Sequence, residues 1–247
     1  MGEMKTFFTI KDNREVARNT WRMELACGRR PEMRAGQFVD IAVDGFFLRR
    51  PVSVCDLTDD GLVLYYRLAG AGTAEMSRMR AGDKLELLTG LGNGFNTGAC
   101  RSSALLLGGG IGSAPLLLLC RELVRLGRKV TVILGFNTAD EIVLLDEFRS
   151  LGAVTAVATL DGSRGTKGFV TDVLKDRAPE YDRFYCCGPL PMMRAVCTTL
   201  PGPGEASLEE RMGCGAGFCY GCSRLMKDGA RRICKDGPVF DKEDIIW

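Results

Sequence analysis

The stretch SSALLLGGGIGSAPLLLLCRELVRL, residues 102–126, decides between two very different molecules. Its first part, residues 102–120, is uncharged and of about membrane-spanning length. Gly108, Gly109, Gly110, Gly112 and Pro115 stand inside that run, where they would break a spanning helix. A buried strand (SALLL), a glycine turn and an apolar-striped helix over residues 114–126 account for the same letters better. The turn is not a strict GxGxxG, since Ser113 holds the third glycine position. Its setting gives it weight, because a helix N-terminus after a strand can receive a pyrophosphate.

Downstream the alternation continues. KVTVILGF (129–136), AVTAVATL (153–160) and RFYCCG (183–188) read as strands. ADEIVLLDEFRSL (139–151), FVTDVLKDR (169–177) and PMMRAVCTTL (191–200) read as helices. Strands alternating with helices predict a parallel sheet covered on both faces, with ligands beyond the carboxyl ends of its strands. The candidate nucleotide residues are therefore Gly108, Gly110 and Gly112 in the turn, with Asp161, Cys187 and Gly188 at the ends of later strands. Gly135-Phe136-Asn137, ending the second strand, lacks the basic pair a 2′-phosphate would need, which favours NAD over NADP. Pro201-Gly202-Pro203-Gly204 reads as a linker.

Upstream, residues 5–91 hold short β-rich runs such as QFVDIAV, PVSVCDL, GLVLYYRLA and DKLELLT, separated by turn signals. Near-regular spacing predicts a closed or nearly closed antiparallel barrel, interrupted by one short helix over residues 73–79. Two motifs inside it suit a dinucleotide. In Arg49-Arg50-Pro51-Val52-Ser53 an arginine can fork onto a pyrophosphate. In Arg67-Leu68-Ala69-Gly70-Ala71-Gly72-Thr73 a Gly-Thr turn at a helix start offers amides and a hydroxyl. Each also reads as an ordinary strand edge or turn.

The chain has 247 residues, 46% of them apolar, and a net charge of +2 from 33 basic and 31 acidic side chains, which suits a folded protein with a large core. That balance gives no electrostatic footprint for nucleic acid or an anionic membrane. There is no histidine, which removes His-based triads, HExxH zinc hydrolysis, His-ligated haem and Rieske ligation. Eleven cysteines behind an N-terminal stretch without an apolar signal core predict reduced thiols in a cytoplasm. Four of them follow the linker as Cys214-x4-Cys219-x2-Cys222-x11-Cys234, among Gly213, Gly215, Gly217 and Gly221. Four thiols so spaced can wrap one inorganic centre, and the x4, x2 spacing fits a plant-type [2Fe–2S] cluster better than a zinc ribbon. The expected architecture is thus α+β and multidomain: a barrel over residues 1–100, an α/β nucleotide domain over 101–203 and a small cluster module over 204–247.

With these pieces in place the chain resembles the ferredoxin–NADP reductase superfamily, through RPVS (50–53), GAGT (70–73), GGGIGSAP (108–115) and CGPLPMM (187–193), in that family's order. The tail ERMGCGAGFCYGCSRLMKDGARRICKDGPVF (210–240), with DGSRGTKGFVTDVL (161–174), resembles the electron-transfer subunits of NAD-dependent dihydroorotate dehydrogenases. The likeness runs over essentially the whole chain. It implies FAD on Arg50, Pro51, Val52 and Ser53, with Arg50 facing the pyrophosphate and Ser53 near the isoalloxazine. It further implies that Arg67, Leu68 and Ala69 line the flavin and its ribityl chain, and that Gly72 and Thr73 hold phosphate. NAD(H) would lie against the glycine loop and Cys187, and Cys214, Cys219, Cys222 and Cys234 would ligate the cluster.

A hydride carries two electrons, an iron–sulfur cluster takes one, and a flavin can manage both, so the implied order is NADH, FAD, cluster. The implied acceptor is an FMN-containing dihydroorotate dehydrogenase catalytic subunit, in a heterotetramer of two copies of each chain, serving pyrimidine biosynthesis. No base or pocket for dihydroorotate is visible, so this chain alone is expected not to turn it over, and no side chain is assigned as catalytic. Two alternatives stand beside this: a subunit of a ferredoxin-dependent transhydrogenase or sulfide dehydrogenase, and a non-enzymatic regulatory module built on structural zinc.

Overall fold

The computed structural model describes residues 5–177 and 179–247. Its first layer is a closed barrel of β1 (Lys5–Ala17), β2 (Thr20–Ala26), β3 (Phe38–Ile41), β4 (Arg50–Leu57), β5 (Gly61–Arg67) and β6 (Lys84–Leu91). The strands close in the order β1-β2-β5-β4-β3-β6, every neighbour antiparallel. Alternation fills the interior: Ile10, Met23, Leu25, Val39, Val52, Val54, Leu62 and Leu64 point inwards and are buried. A short helix α1 (Ala71–Arg78) follows β5.

The second layer is the predicted alternating unit: β7 (Ser103–Gly109), α2 (Ala114–Arg125), β8 (Lys129–Phe136), α3 (Leu145–Ser150), β9 (Val154–Thr159), β10 (Thr166–Lys167), α4 (Val170–Arg177), β11 (Arg183–Cys187) and α5 (Leu190–Thr199). Three further strands, β12 (Gly204–Ser207), β13 (Ser223–Met226) and β14 (Gly229–Arg232), precede the last, β15 (Val239–Asp241). The large sheet has seven strands in the order β10-β9-β8-β7-β11-β12-β15, parallel except for β15. No helix among the described residues is long and apolar enough to cross a membrane, and residues 102–126 form the strand, turn and helix their letters predict.

Two expectations need correction. The supposed linker ends inside the sheet, since Gly204 opens β12, whose residues are all buried. The boundary expected at residue 204 therefore falls at the start of a sheet strand. Glycine serves close approach there: a Cβ at Gly204 would lie 2.3 Å from the Phe184 ring. The helix expected over residues 139–151 forms only from Leu145 onward. Glu141 is buried and tied to Asn137 and Arg18, and Leu144 adopts φ 66, so the preceding segment is pinned out of the helix.

Barrel and sheet are firmly joined. Helix α2 lies along β4, where Arg121 forks onto the Asp56 carboxylate. The Tyr185 hydroxyl donates to the carbonyl of Asn96 at 3.0 Å, and the Asn96 amide donates to Glu205 at 3.0 Å.

Candidate functional site

Because Val52 and Val54 point into the barrel, Pro51 and Ser53 face outward beside their cross-strand partners Asp40 and Phe38. Arg50 closes this face. Its guanidinium lies 4.8 Å from the centroid of the Phe46 ring. It also sits over the first turn of α1, where a Cβ on Gly72 would come within 2.0 Å of its Nε. Thr73 fixes that turn: its Oγ1 accepts from the amides of Ala69 at 2.9 Å and Gly70 at 3.2 Å and donates to the Gly70 carbonyl at 3.0 Å. A guanidinium lying directly against a helix N-terminus is a fit for a pyrophosphate. Arg50, Gly72 and Thr73 are thus brought together, next to Pro51, Val52 and Ser53. Leu68 packs on the core and Ala69 is exposed. Arg67 points elsewhere, with Nη2 3.7 Å from Glu141.

The nucleotide sheet reverses direction at β7, which has β8 on one side and β11 on the other. Such a switch point opens a crevice at the carboxyl ends of the two strands. The glycine turn forms its floor. A Cβ on Gly112 would stand 2.6 Å from the Cys187 carbonyl and from the Cα of Gly188, and one on Gly188 would stand 2.9 Å from the Gly109 backbone. Gly110 takes φ 53, a conformation glycine adopts without strain. The turn also touches β5, so the crevice opens towards the barrel's flavin-type motifs. Cys187 lies in register with Gly108 on one side and Ser207 on the other. Burial, aided by the charge of Glu209, pushes its thiol up to about 12, so it stays neutral. Asp161 is not brought to this crevice. It follows β9, two strands from β7, and accepts from the Ser163 amide at 2.9 Å and hydroxyl at 2.6 Å.

From Ser207 the chain runs straight into the cysteine segment. Cys214 and Cys219 lie in one loop, and Cys234 lies beside Cys222, to whose sulfur its amide donates at 3.4 Å. No three metal-donor side chains are gathered into one tight group among the described residues. Amides nevertheless point at sulfur throughout. Cys214 receives those of Phe218 at 3.2 Å and Cys219 at 3.4 Å, Cys219 that of Gly221 at 3.4 Å, and Cys222 that of Cys234 at 3.4 Å. Burial opposes ionisation of Cys214, but the amides of Cys219, Ala216 and Phe218 outweigh it and bring the thiol down to about 6. An all-thiol donor set with amides already directed at sulfur fits a thiolate-held iron–sulfur centre. Cys222 and Cys234 are buried while Cys219 is exposed between Phe218 and Tyr220, which are 76% and 66% exposed.

The two halves of the site meet at a residue the sequence reading passed over. Asp40 lies opposite Pro51 on the outer barrel face, and its Oδ2 would sit 2.3 Å from a Cβ on Gly215. Burial pushes its carboxyl up to about 6, against the pull of Arg49 and Arg50. The signal was a lone aspartate inside the otherwise apolar strand FVDI.

A flavin-type barrel, a parallel nucleotide sheet split at a switch point and a four-cysteine segment, in that order, define a reductase of the ferredoxin-reductase type. Comparison with known proteins narrows the class. Residues 209–246 match the iron–sulfur cluster binding domain of dihydroorotate dehydrogenase B, and residues 106–198 match the oxidoreductase NAD-binding domain. Proteins named dihydroorotate dehydrogenase B (NAD(+)), electron transfer subunit, are similar over nearly the full length. That of Fusobacterium nucleatum is 39% identical, covering 96% of each chain, and that of Lysinibacillus sphaericus is 41% identical, covering 94% of this chain and 95% of its own. A solved NADH-dependent reduced ferredoxin-NADP oxidoreductase superposes with a TM-score of 0.88 at 29% identity, over 100% of this chain and 92% of the other. Phthalate dioxygenase reductase, at 20% identity and a TM-score of 0.68 over 90% of this chain and 87% of its own, shares the fold. The chain belongs to the family of dihydroorotate dehydrogenase B electron transfer subunits.

Proposed function

We propose that this chain carries electrons between NAD(H) and an FMN-containing dihydroorotate dehydrogenase catalytic subunit, in an assembly of two copies of each. When bound, FAD exchanges electrons in pairs with a nicotinamide and singly with a [2Fe–2S] centre, which is the chemistry the chain itself lacks. Its residues supply the rest. Arg50 and the α1 amides at Gly72 and Thr73 would hold the flavin's pyrophosphate, while outward-facing Pro51 and Ser53, exposed Ala69 and the backbone of Val52 and Leu68 would shape the face for its ring and ribityl chain. Gly108, Gly110 and Gly112 admit the nicotinamide dinucleotide to the crevice, and neutral Cys187 and Gly188 form the wall against which the nicotinamide rests. Cys214, Cys219, Cys222 and Cys234 hold the iron, and their amide partners stabilise sulfur charge. Arg67 braces the barrel against Glu141. Exposed Cys219, with Phe218 and Tyr220 on either side, is where the catalytic subunit docks.

The observation that carries this reading is the path of one strand. β12 leaves the nucleotide crevice beside Cys187, and the chain then lays Gly215 against Asp40, the cross-strand partner of Pro51. This path joins the three segments proposed to hold cofactors. The anaerobically purified chain is expected to contain FAD, iron and acid-labile sulfide, and to sustain orotate-dependent NADH oxidation with an FMN-containing partner. Material holding stoichiometric zinc and no flavin would refute the reading. The likeness to the reduced ferredoxin-NADP oxidoreductase favours one second reading, in which ferredoxin and NADP replace orotate. Ferredoxin-dependent NADP reduction, with no response to orotate, would select it.

A further inference from the structure

Three carboxylates of the described residues are buried: Asp40, Glu205 and Glu141, at 1%, 6% and 8% exposure. Two of them are well partnered. Glu205 accepts from Arg183 at 2.8 Å and from the Asn96 amide at 3.0 Å, and Glu141 accepts from Arg18 at 2.7 Å and Asn137 at 2.8 Å. Asp40 differs. Its Oδ1 is buried without a hydrogen-bond partner. The nearby cations do not quench it by contact: Arg49 instead donates to the backbone carbonyl of Asp40 at 3.4 Å and to the Glu86 carboxylate, and Arg50 donates to the carbonyls of Leu48 and Arg49. Burying a carboxylate without hydrogen bonds is costly.

Its position gives the reason. Phe38 and Asp40 share the outer face of β3, away from Val39 and Ile41 in the barrel core. Across β4 this face continues into Ser53 and Pro51, and across β6 into Leu88. Phe38 and Leu91 belong to the buried apolar cluster that also contains Cys222 and Cys234, with partly buried Leu88 and Ala216 packed against it. Among the described residues Asp40 is therefore the one buried carboxylate on the seam between the flavin-type face and the cysteine segment, with the backbone next to Cys214 directly against it.

We propose that Asp40 is a positioning residue for electron transfer, whose fixed negative charge on this seam holds down the reduction potential of the thiolate-bound centre. An added electron meets that charge through a low-dielectric path, so the reduced centre is disfavoured and passes its electron on readily. This rests on the reading of residues 214–234 as the iron–sulfur segment.

The test is a potentiometric titration of the whole chain at pH 8, followed by the electron paramagnetic resonance signal of the reduced centre. Asp40→Asn keeps size and shape and removes the charge, so the variant should fold, retain FAD and iron, and melt no lower than the unmodified chain. Its one-electron equilibrium should move on the order of tenfold towards the reduced centre, equivalent to about 59 mV. Asp40→Glu, which keeps the charge, should return the potential to near that of the unmodified chain. An unshifted potential in an iron-replete Asp40→Asn chain overturns the proposal and leaves the iron–sulfur reading intact. Loss of iron or failure to fold in Asp40→Asn also overturns it, because the carboxylate would then serve structure. An unmodified chain without iron defeats both readings, and the metal analysis shows which has failed.

Discussion

Substituting alanine at Gly112 tests the nucleotide crevice most directly. The added methyl would stand 2.6 Å from the Cys187 carbonyl and the Gly188 Cα, and both are backbone that cannot swing aside. Carbon atoms pack at about 3.5–4.0 Å, so the glycine turn and the end of β11 must part by about 1 Å. Overpacking of this kind costs about 1–3 kcal/mol, a fall in melting temperature of about 5 °C for a chain of this size. The functional loss is larger, because a shift of about 1 Å in a reacting geometry costs on the order of a hundredfold. In an NADH–ferricyanide assay, kcat/KM for NADH should therefore fall about a hundredfold at unchanged FAD and iron content. Gly127→Ala serves as control: φ 74 strains its backbone, nothing lies within 4 Å of the new methyl, and NADH kinetics should not change. If Gly112→Ala reduced ferricyanide with unaltered kcat/KM for NADH, the crevice between β7 and β11 would not be the nucleotide site.

Three further outcomes can be checked. Cys222→Ser, at a buried position proposed to ligate the cluster, should abolish electron delivery to the catalytic subunit while stopped-flow absorbance still shows partial flavin reduction by NADH. Arg183→Ala strips the 2.8 Å partner from buried Glu205 and should cost about 3–5 kcal/mol in urea unfolding, whereas a loss below about 1 kcal/mol would show that Glu205 finds another partner. Asp182 accepts from the amides of Arg101 and Ser103 at 3.1 and 3.0 Å, from the Ser102 amide and from its hydroxyl. Burial opposes ionisation, yet these donors together hold the carboxyl well below the usual range. Its contribution is present above about pH 4 and is lost as pH falls through the depressed value, so the stability gap between the unmodified chain and Asp182→Ala should narrow in acid. A gap independent of pH would refute that account.

The barrel and the parallel sheet were legible because period-two strands and a glycine turn before a helix leave strong local marks. The RPVS and GAGT motifs likewise located Arg50, Gly72 and Thr73, which the fold then brought into contact. What stayed hidden depends on contacts between distant segments. Asp161 sits at a strand end like Cys187, yet strand order places it two strands from β7. The helix expected over residues 139–151 has the right apolar spacing, but Arg18 captures Glu141, residues 139–141 close only a 3-10 turn, and the left-handed Leu144 breaks the path before the α-helix begins at Leu145. Asp40 looked like an ordinary polar residue because nothing in its neighbourhood in sequence says that Gly215 will cover it.

The proline–glycine run before residue 205 misled for a related reason, and the correction bears on function. A flexible linker would have let the cysteine segment swing, and its distance from the flavin face would then vary. Instead β12 hydrogen-bonds to β11, and β15 returns antiparallel on its other side. Asn93, between the two large layers, donates to the Val239 carbonyl at 2.7 Å, accepts from the Val239 amide at 3.1 Å, and its own amide donates to the Gly237 carbonyl at 2.7 Å. The cysteine segment is thereby fastened at its entry by the sheet and at its exit by both sheet and barrel. Single electrons cross between cofactors only at short, constant separation, so under the proposed function the glycines that admit close packing at residues 204 and 215 would serve transfer as directly as the thiols.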